Sequence, residues 1–163
     1  MTTIKKLLIS LAALATAVIA APATPTRADV GTSARDASES TCTDGVPATQ
    51  LHPEFPIDGF TLVLPAVNLT SYTINKDWYN AHFVSGPHYI AAPIGSDPYG
   101  AFKCQYTCNA AEGCSSFFVW HDQPGTSNDR SSCVLFDAVL PPSVFESSTG
   151  TMGAGGYDRI CRV

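Results

Sequence analysis

The sequence predicts an α+β domain in which one main helix packs on an antiparallel sheet of about five strands, stapled by disulfides. Three features carry this prediction. Six cysteines all follow an apolar leader, one stretch of good helix formers holds two of them, and short β-branched and aromatic runs recur between turn residues.

The leader comes first in the chain. Lys5 and Lys6 precede an apolar run, residues 7–20 (LLISLAALATAVIA), with Val18 and Ala20 at the −3 and −1 positions of a cut before Ala21. The run is shorter than the roughly 20 residues that span a bilayer, so residues 1–20 read as a cleaved signal peptide. A buried N-terminal helix and a retained anchor are the competing readings. Outside this run no stretch is apolar enough to span a membrane, so none is expected in the mature chain. Loss of Lys5 and Lys6 leaves seven basic residues against 14 acidic ones, a formal charge of −7. Such a chain repels phosphate backbones, whose binding depends on Lys and Arg, so no nucleic-acid partner is expected. Residues 21–41 are mostly Pro, Ala, Ser and Thr with scattered charge. They offer too little apolar surface to offset the entropy of ordering and are expected to be disordered, whether as propeptide, linker, O-glycosylated stalk or plain tail. Residues 42–163 then form one domain of ordinary size.

An even cysteine count in an exported chain implies three bridges out of fifteen pairings. A zinc site is the rival, but the sequence has no Cys-x-x-Cys ligand pair. Residues 101–112 (AFKCQYTCNAAE) contain no Gly or Pro and follow Tyr99 and Gly100, which punctuate a helix start. Cys104 and Cys108 are four apart and therefore share one face with Ala101 and Ala111, which must be the buried one. Gly113 suits the left-handed residue that ends a helix. The chain then enters CSSFFVWH (114–121), a strand by its aromatic content, so a short bend returns Cys114 beneath the helix and makes Cys108–Cys114 the natural pair. A turn-rich stretch, 122–132, leads into the strand CVLFDAVL (133–140). Antiparallel pairing of the two strands puts Cys133 under Cys104, leaving Cys42 and Cys161 to close the domain.

The spacing Cys104-x3-Cys108-x5-Cys114, followed by Ser116-Phe117-Phe118 and by Cys133-Val134-Leu135-Phe136, resembles the PAN/apple family of secreted modules. The resemblance spans about sixty residues, 102–161. It implies a helix stapled onto an antiparallel sheet, with cysteines paired first to sixth, second to fifth and third to fourth, the same nested pattern. The export signal, the Ser/Thr/Ala/Pro tail and the closing GGYDRIC are similar to small secreted proteins of filamentous and fruiting-body fungi. The chain departs from the family in its longer stretch between Cys42 and Cys104 and in the long loop at 122–132.

Within that longer stretch, residues 59–64 (GFTLVL) read as a strand ended by Pro65, and 88–94 (HYIAAPI) as another with an edge proline. Asn68-Leu69-Thr70 is an N-glycosylation sequon; its use would hold that loop at the surface, and chance occurrence is the alternative. Residues 150–156 (GTMGAGG) lack a following helix to bind phosphate and read as a flexible turn.

Two stretches are candidate ligand surfaces. Tyr72, Trp78, Tyr79, His82 and Phe83 are interleaved with Asn75, Lys76, Asp77 and Asn80. Aromatic faces stack on the apolar faces of sugar rings while Asn, Asp and Lys pair with hydroxyls, but the same mixture also makes a packed corner. Trp120, His121 and Asp122 with the loop to Arg130 form the second, either a binding loop or a solvated hairpin tip. Catalysis has weak support: His121 beside Asp122 suggests part of a triad, but neighbours in a strand point to opposite faces, no Gly-x-Ser-x-Gly elbow is present, and Glu54, Asp58, Asp77 and Asp97 are too scattered to single out a glycosidase pair. His52, His82, His88 and His121 share no metal-ligand spacing, so no metal or cofactor is expected. The resemblance implies a non-enzymatic extracellular module that binds carbohydrate or protein at the cell wall or a partner's surface. A matrix protein of the fungal wall or fruiting body acting by self-association is the alternative.

Overall fold

The computed structural model describes residues 40–48, 53–91, 97–122 and 130–162. The expected signal peptide lies outside the described residues. So do all but the last two positions of the 21–41 segment, residues 123–129 of the long loop, and His52.

Among the described residues, strands, helices and a 3-10 turn follow in the order β1 (Phe60–Val63), β2 (Tyr72–Ile74), α1 (Lys76–His82), β3 (Phe83–Ile90), α2 (Asp97–Ala110), β4 (Ser116–Asp122), β5 (Arg130–Phe136), the turn Pro142–Val144, β6 (Phe145–Ser147) and β7 (Thr151–Arg159). Five strands make an antiparallel sheet in the order β1-β7-β4-β5-β3, and β2 and β6 make a small second one. The protein is therefore α+β with a five-stranded antiparallel sheet, and its described residues fall in one compact unit.

Both faces of the large sheet are covered, which explains why β4 and β5 carry nearly continuous apolar runs instead of alternating with polar residues. On one face Phe117, Val119, Cys133, Leu135 and Tyr157 pack beneath α2 with Phe60 and Ile57. On the other, Phe118, Val134 and Phe136 meet Tyr72, Ile74, Val144 and Phe145 from the small sheet and its turn. Sequence reading anticipated only the helix-bearing face. Residues 71–83 hold much of the second layer, because β2 must reach β6 (Tyr72↔Ser147, Ile74↔Phe145) before α1 begins.

The helix differs from expectation at both ends, spanning Asp97–Ala110 in place of 101–112. Pro98 is tolerated in a first turn, where the missing N–H has no helical partner. Gly100 lies inside the helix because a Cβ there would stand 2.7 Å from the Ser131 side chain of β5. Ala101, Cys104, Gln105 and Cys108 are buried along one face. Gln105 is satisfied there, donating to Pro56 O (2.6 Å) and accepting from Asp58 N (2.8 Å), as a buried amide must be. Three disulfides, Cys42–Cys161, Cys104–Cys133 and Cys108–Cys114, form a nested set. The outer bridge is reinforced by the backbone, since Thr43 N donates to Arg159 O and Cys161 N to Thr43 O.

Four further expectations are corrected. The strand expected at 88–94 runs instead over Phe83–Ile90, because the chain turns extended at the end of α1 and pairs with β5 from Phe83↔Phe136 to Ile90↔Ser131; residues 92–94 lie outside the described residues. The strand expected at 133–140 leaves the sheet after Phe136, as Leu140 N turns to Asp158 Oδ1 (2.8 Å) and Val139 N to Ser40 O (2.9 Å). Ser40, expected in a disordered segment, is held by that bond. Finally, residues 150–156 are mostly strand β7, inside the sheet between β1 and β4. Its glycines admit the second layer: a Cβ on Gly153 would stand 2.5 Å from the Tyr72 ring, and one on Gly156 2.7 Å from Leu140.

Candidate binding cleft

Asn75 starts α1 by accepting hydrogen bonds from the N–H groups of Asp77 (3.1 Å) and Trp78 (3.2 Å), the usual work of an N-cap asparagine. Its Nδ2 donates to Glu146 on β6, which ties the helix to the small sheet. The short helix then divides its aromatics. Trp78 and His82, four apart, face each other with ring centroids at 4.6 Å, and Trp78 packs edge-on against Phe136 at 4.8 Å. His82 Nδ1 lies 3.0 Å from Asp137 Oδ1. Trp78 Nε1 is buried with no acceptor among the described residues. Tyr79 turns the other way, stacking on Phe83 at 5.5 Å and meeting Phe136 edge-on at 5.6 Å.

Tyr79 thereby lines a cleft of about 230 Å³ with Trp120 of β4, Pro87 of β3, Thr73 and Ile74 of β2, and Phe118 and Val134 on the sheet floor. One member of each candidate surface, separated by 41 positions in the chain, thus contributes to the same concavity. Trp78 and His82 do not line it; Trp78 packs against Phe136 and His82. Asp122 does not line it either. Its Oδ1 accepts the Trp120 indole N–H (2.9 Å) and its Oδ2 the Ser132 hydroxyl (2.6 Å). Asp122 fixes the indole, while Trp120 stacks on Phe118 at 5.8 Å and stays half-buried. Burial raises the Tyr79 phenol above its ordinary pKa, so the hydroxyl remains a neutral donor and acceptor.

A larger cleft, about 500 Å³, lies beside the Cys42–Cys161 bridge, lined by Cys42, Cys161, Cys114, Arg159, Arg162 and Asp58 among others. Its most prominent polar group is already engaged. Arg159 donates to Cys114 O (3.0 Å) and Asn109 Oδ1 (3.0 Å) and lies 4.9 Å over the Phe60 ring. This places a cation at the C-terminal end of α2, which has no basic residue in its own last turn. A third cleft, about 400 Å³, is lined by Thr43, Asp44, Thr61, Leu140 and Asp158, among others. Burial pushes the Asp158 carboxyl up to about 7, against the lowering effect of the Leu140 N–H. That carboxyl ties the chain after β5 to β7, accepting from Leu140 N. No group of three His, Cys, Asp or Glu residues suited to a metal ion occurs among the described residues.

Sequence reading missed one surface. Tyr99, Phe102 and Tyr106 fall at i, i+3 and i+7 on the side of α2 opposite its buried face, with Phe55 beside them and Lys103 over the Tyr99 and Phe102 rings at 5.4 and 5.9 Å. The spacing was visible, but the two cysteines on the other side had already explained the helix. Phe55 meets Tyr99 and Phe102 meets Tyr106 edge to face, at 77° and 85°, and Tyr106 is exposed. Asn68 and Thr70 of the sequon are both exposed. Among the described residues no helix is long and apolar enough to cross a membrane. Compared with known proteins, the chain matches no family model and no curated protein sequence.

Proposed function

We propose that this protein is an exported recognition module, similar in kind to the PAN/apple modules that its cysteine spacing resembles, and that it binds carbohydrate at a cell wall or extracellular surface without catalysing a reaction. One observation carries the reading: Tyr79 and Trp120, from distant parts of the chain, converge on one cleft whose tryptophan is locked by Asp122 on a sheet stapled to α2. Rigid aromatic groups with few competing motions suit a sugar ring, which stacks its apolar face and pairs its hydroxyls at the edge. Three disulfides suit the oxidising space that the leader at 1–20 would deliver the chain to. Glycosylation at Asn68 belongs to the same reading and is supported by the exposure of that side chain.

The test is a glycan array and a pull-down on fungal wall polysaccharides with the refolded, disulfide-intact protein. The reading expects binding that Trp120→Ala abolishes. Blank results from both would remove it. Self-association is the second reading, favoured by Tyr89 (67% exposed) and Phe83 (44%) on the edge strand β3. Pro87 counts against it, since a proline on an edge removes a donor that a docking strand needs. Sedimentation at high concentration decides between them: a monomer rejects self-association.

A further inference from the structure

We propose that the cleft of about 500 Å³ beside the Cys42–Cys161 bridge is a second binding site, one that takes a sugar carrying a single anionic group, a uronate carboxylate or a sulfate ester, through Arg159 and Arg162. It is a different cleft from that of Tyr79 and Trp120, and it stands whether or not that one holds a sugar.

The first ground is charge. The chain has 14 acidic and nine basic residues, yet two guanidiniums line this cleft against one carboxylate, Asp58. Burial, and after it the like charge of Arg162, lower the pKa of Arg159, so the two cations act on one another. Arg162 is exposed and has no ion-pair partner among the described residues. An anion in the cleft pairs with Arg162 and relieves that repulsion. With Asp58 counted, the lining keeps one net positive charge, which suits one anionic group. A second would go unpaired, and the acidic chain repels a polyanion.

The second ground is the kind of hydrogen-bonding group left over. Of the five N–H donors of a guanidinium, Arg159 directs three, to Cys114 O (3.0 Å), Asn109 Oδ1 (3.0 Å) and Cys108 Sγ (3.6 Å), and keeps two. Because Asn109 accepts from Arg159 with its oxygen, its Nδ2 group is a donor too, and Arg162 adds a complete fork. A seat rich in N–H donors fits a group that only accepts, as a carboxylate or sulfate does.

Rigidity and size complete the case. Arg159 is held by its three contacts and by the Phe60 ring beneath it. Arg162 follows Cys161, whose backbone is fixed by the bridge to Cys42 and by its N–H to Thr43 O. Cations held in place in this way lose little freedom when a ligand arrives. The volume lies within the range of about 300–1,000 Å³ typical of small-molecule sites, more than a bare ion fills. Thr41 and Asn109 supply polar groups for ring hydroxyls.

The test titrates the isotope-labelled, disulfide-intact protein with the methyl glycosides of D-glucuronate and D-galacturonate and with methyl glucoside 6-sulfate, beside uncharged methyl glucoside, uncharged methyl galactoside and acetate. Salt is held constant, since it screens surface charge. The readout is the side-chain N–H signals of Arg159, Arg162 and Asn109 in nitrogen–proton correlation spectra. At least one anionic sugar should shift these signals and bind about tenfold or more tightly than its uncharged counterpart and than acetate, and the arm that binds tells carboxylate from sulfate. Arg162→Gln, at an exposed position where the fold does not need the charge, should weaken that binding about tenfold or more, the worth of one charge-assisted hydrogen bond. Trp120→Ala should leave it unchanged. Uncharged sugars or acetate binding as tightly, full affinity in a folded Arg162→Gln protein, or silence of every anionic probe would each overturn the proposal and leave the Tyr79–Trp120 reading standing. Loss of anionic-sugar binding in a folded Trp120→Ala protein would move the ligand to the other cleft and overturn it as well.

Discussion

Asp158→Asn isolates a single buried charge. Asp158 is 4% exposed in the inner strand β7, and burial, outweighing the lowering effect of the Leu140 N–H, pushes its carboxyl up to about 7. Against an unfolded value of 3.8, the folded state holds a proton that the unfolded chain releases between about pH 4 and pH 7. Stability from this group is therefore fully present below the unfolded value and is lost as pH rises through the folded one. The full span amounts to about 4 kcal/mol, of which about 3 kcal/mol falls between pH 5 and pH 8. Asparagine is neutral throughout and keeps an oxygen for the Leu140 N–H, though its amide hydrogens enter a buried space at a cost of about 1–3 kcal/mol. The assay is urea unfolding of both proteins at pH 5 and pH 8, disulfides intact, read by tryptophan fluorescence. The wild type should lose about 3 kcal/mol more than the variant over that interval, because other titrating groups are common to both. Parallel losses in the two proteins would refute the assignment of a buried, proton-holding carboxyl to this position.

Replacing the disulfides pairwise by alanine should rank with the chain enclosed: separations of 119, 29 and 6 residues correspond to losses of about 5, 4 and 2 kcal/mol for Cys42–Cys161, Cys104–Cys133 and Cys108–Cys114. Denaturation midpoints under non-reducing conditions check the order, and the Cys108–Cys114 variant should still fold. Gly153→Ala should cost about 1–3 kcal/mol by forcing the Tyr72 ring aside, while Gly150→Ala, with nothing within 4 Å of its Cβ, should melt close to the wild type. Asp122→Ala should release the Trp120 indole and lower ligand affinity about tenfold, the loss of about one hydrogen bond's worth of positioning, whereas Asp122→Asn, which retains an acceptor, should restore most of it.

The helix-bearing half of the molecule was legible because its cysteines and its periodicity point the same way. Cys104 and Cys108 share a face of a stretch rich in helix formers, and Gly113, with φ of 77°, turns the chain shortly after the helix ends at Ala110. The second layer was harder to see. Tyr72, Ile74 and Phe145 lie on three-residue strands, too short to show a period, and they are joined by a pairing across 71 positions that no local pattern announces. Residues 150–156 misled for the opposite reason. Glycine there is selected by rings that press on the strand from the other layer, whereas in an isolated sequence it signals a turn. At the cleft, Trp120 and Tyr79 were both visible as aromatic candidates. Their convergence was not, since it depends on α1 presenting Tyr79 and Trp78 in different directions. The place of Asp122 as the anchor of the Trp120 indole follows from i, i+2 neighbours sharing one face of a strand, a signal present in the sequence and overlooked in favour of ligand contact.

The account rests on the cleft between Tyr79 and Trp120. Its most direct test is the affinity of the intact protein and of Trp120→Ala for the best-binding glycan of the array, measured by calorimetry after both are shown by near-UV circular dichroism and melting to be folded. The account predicts saturable binding to the wild type and its loss in a folded Trp120→Ala protein. Equal affinity for the two folded proteins would contradict it.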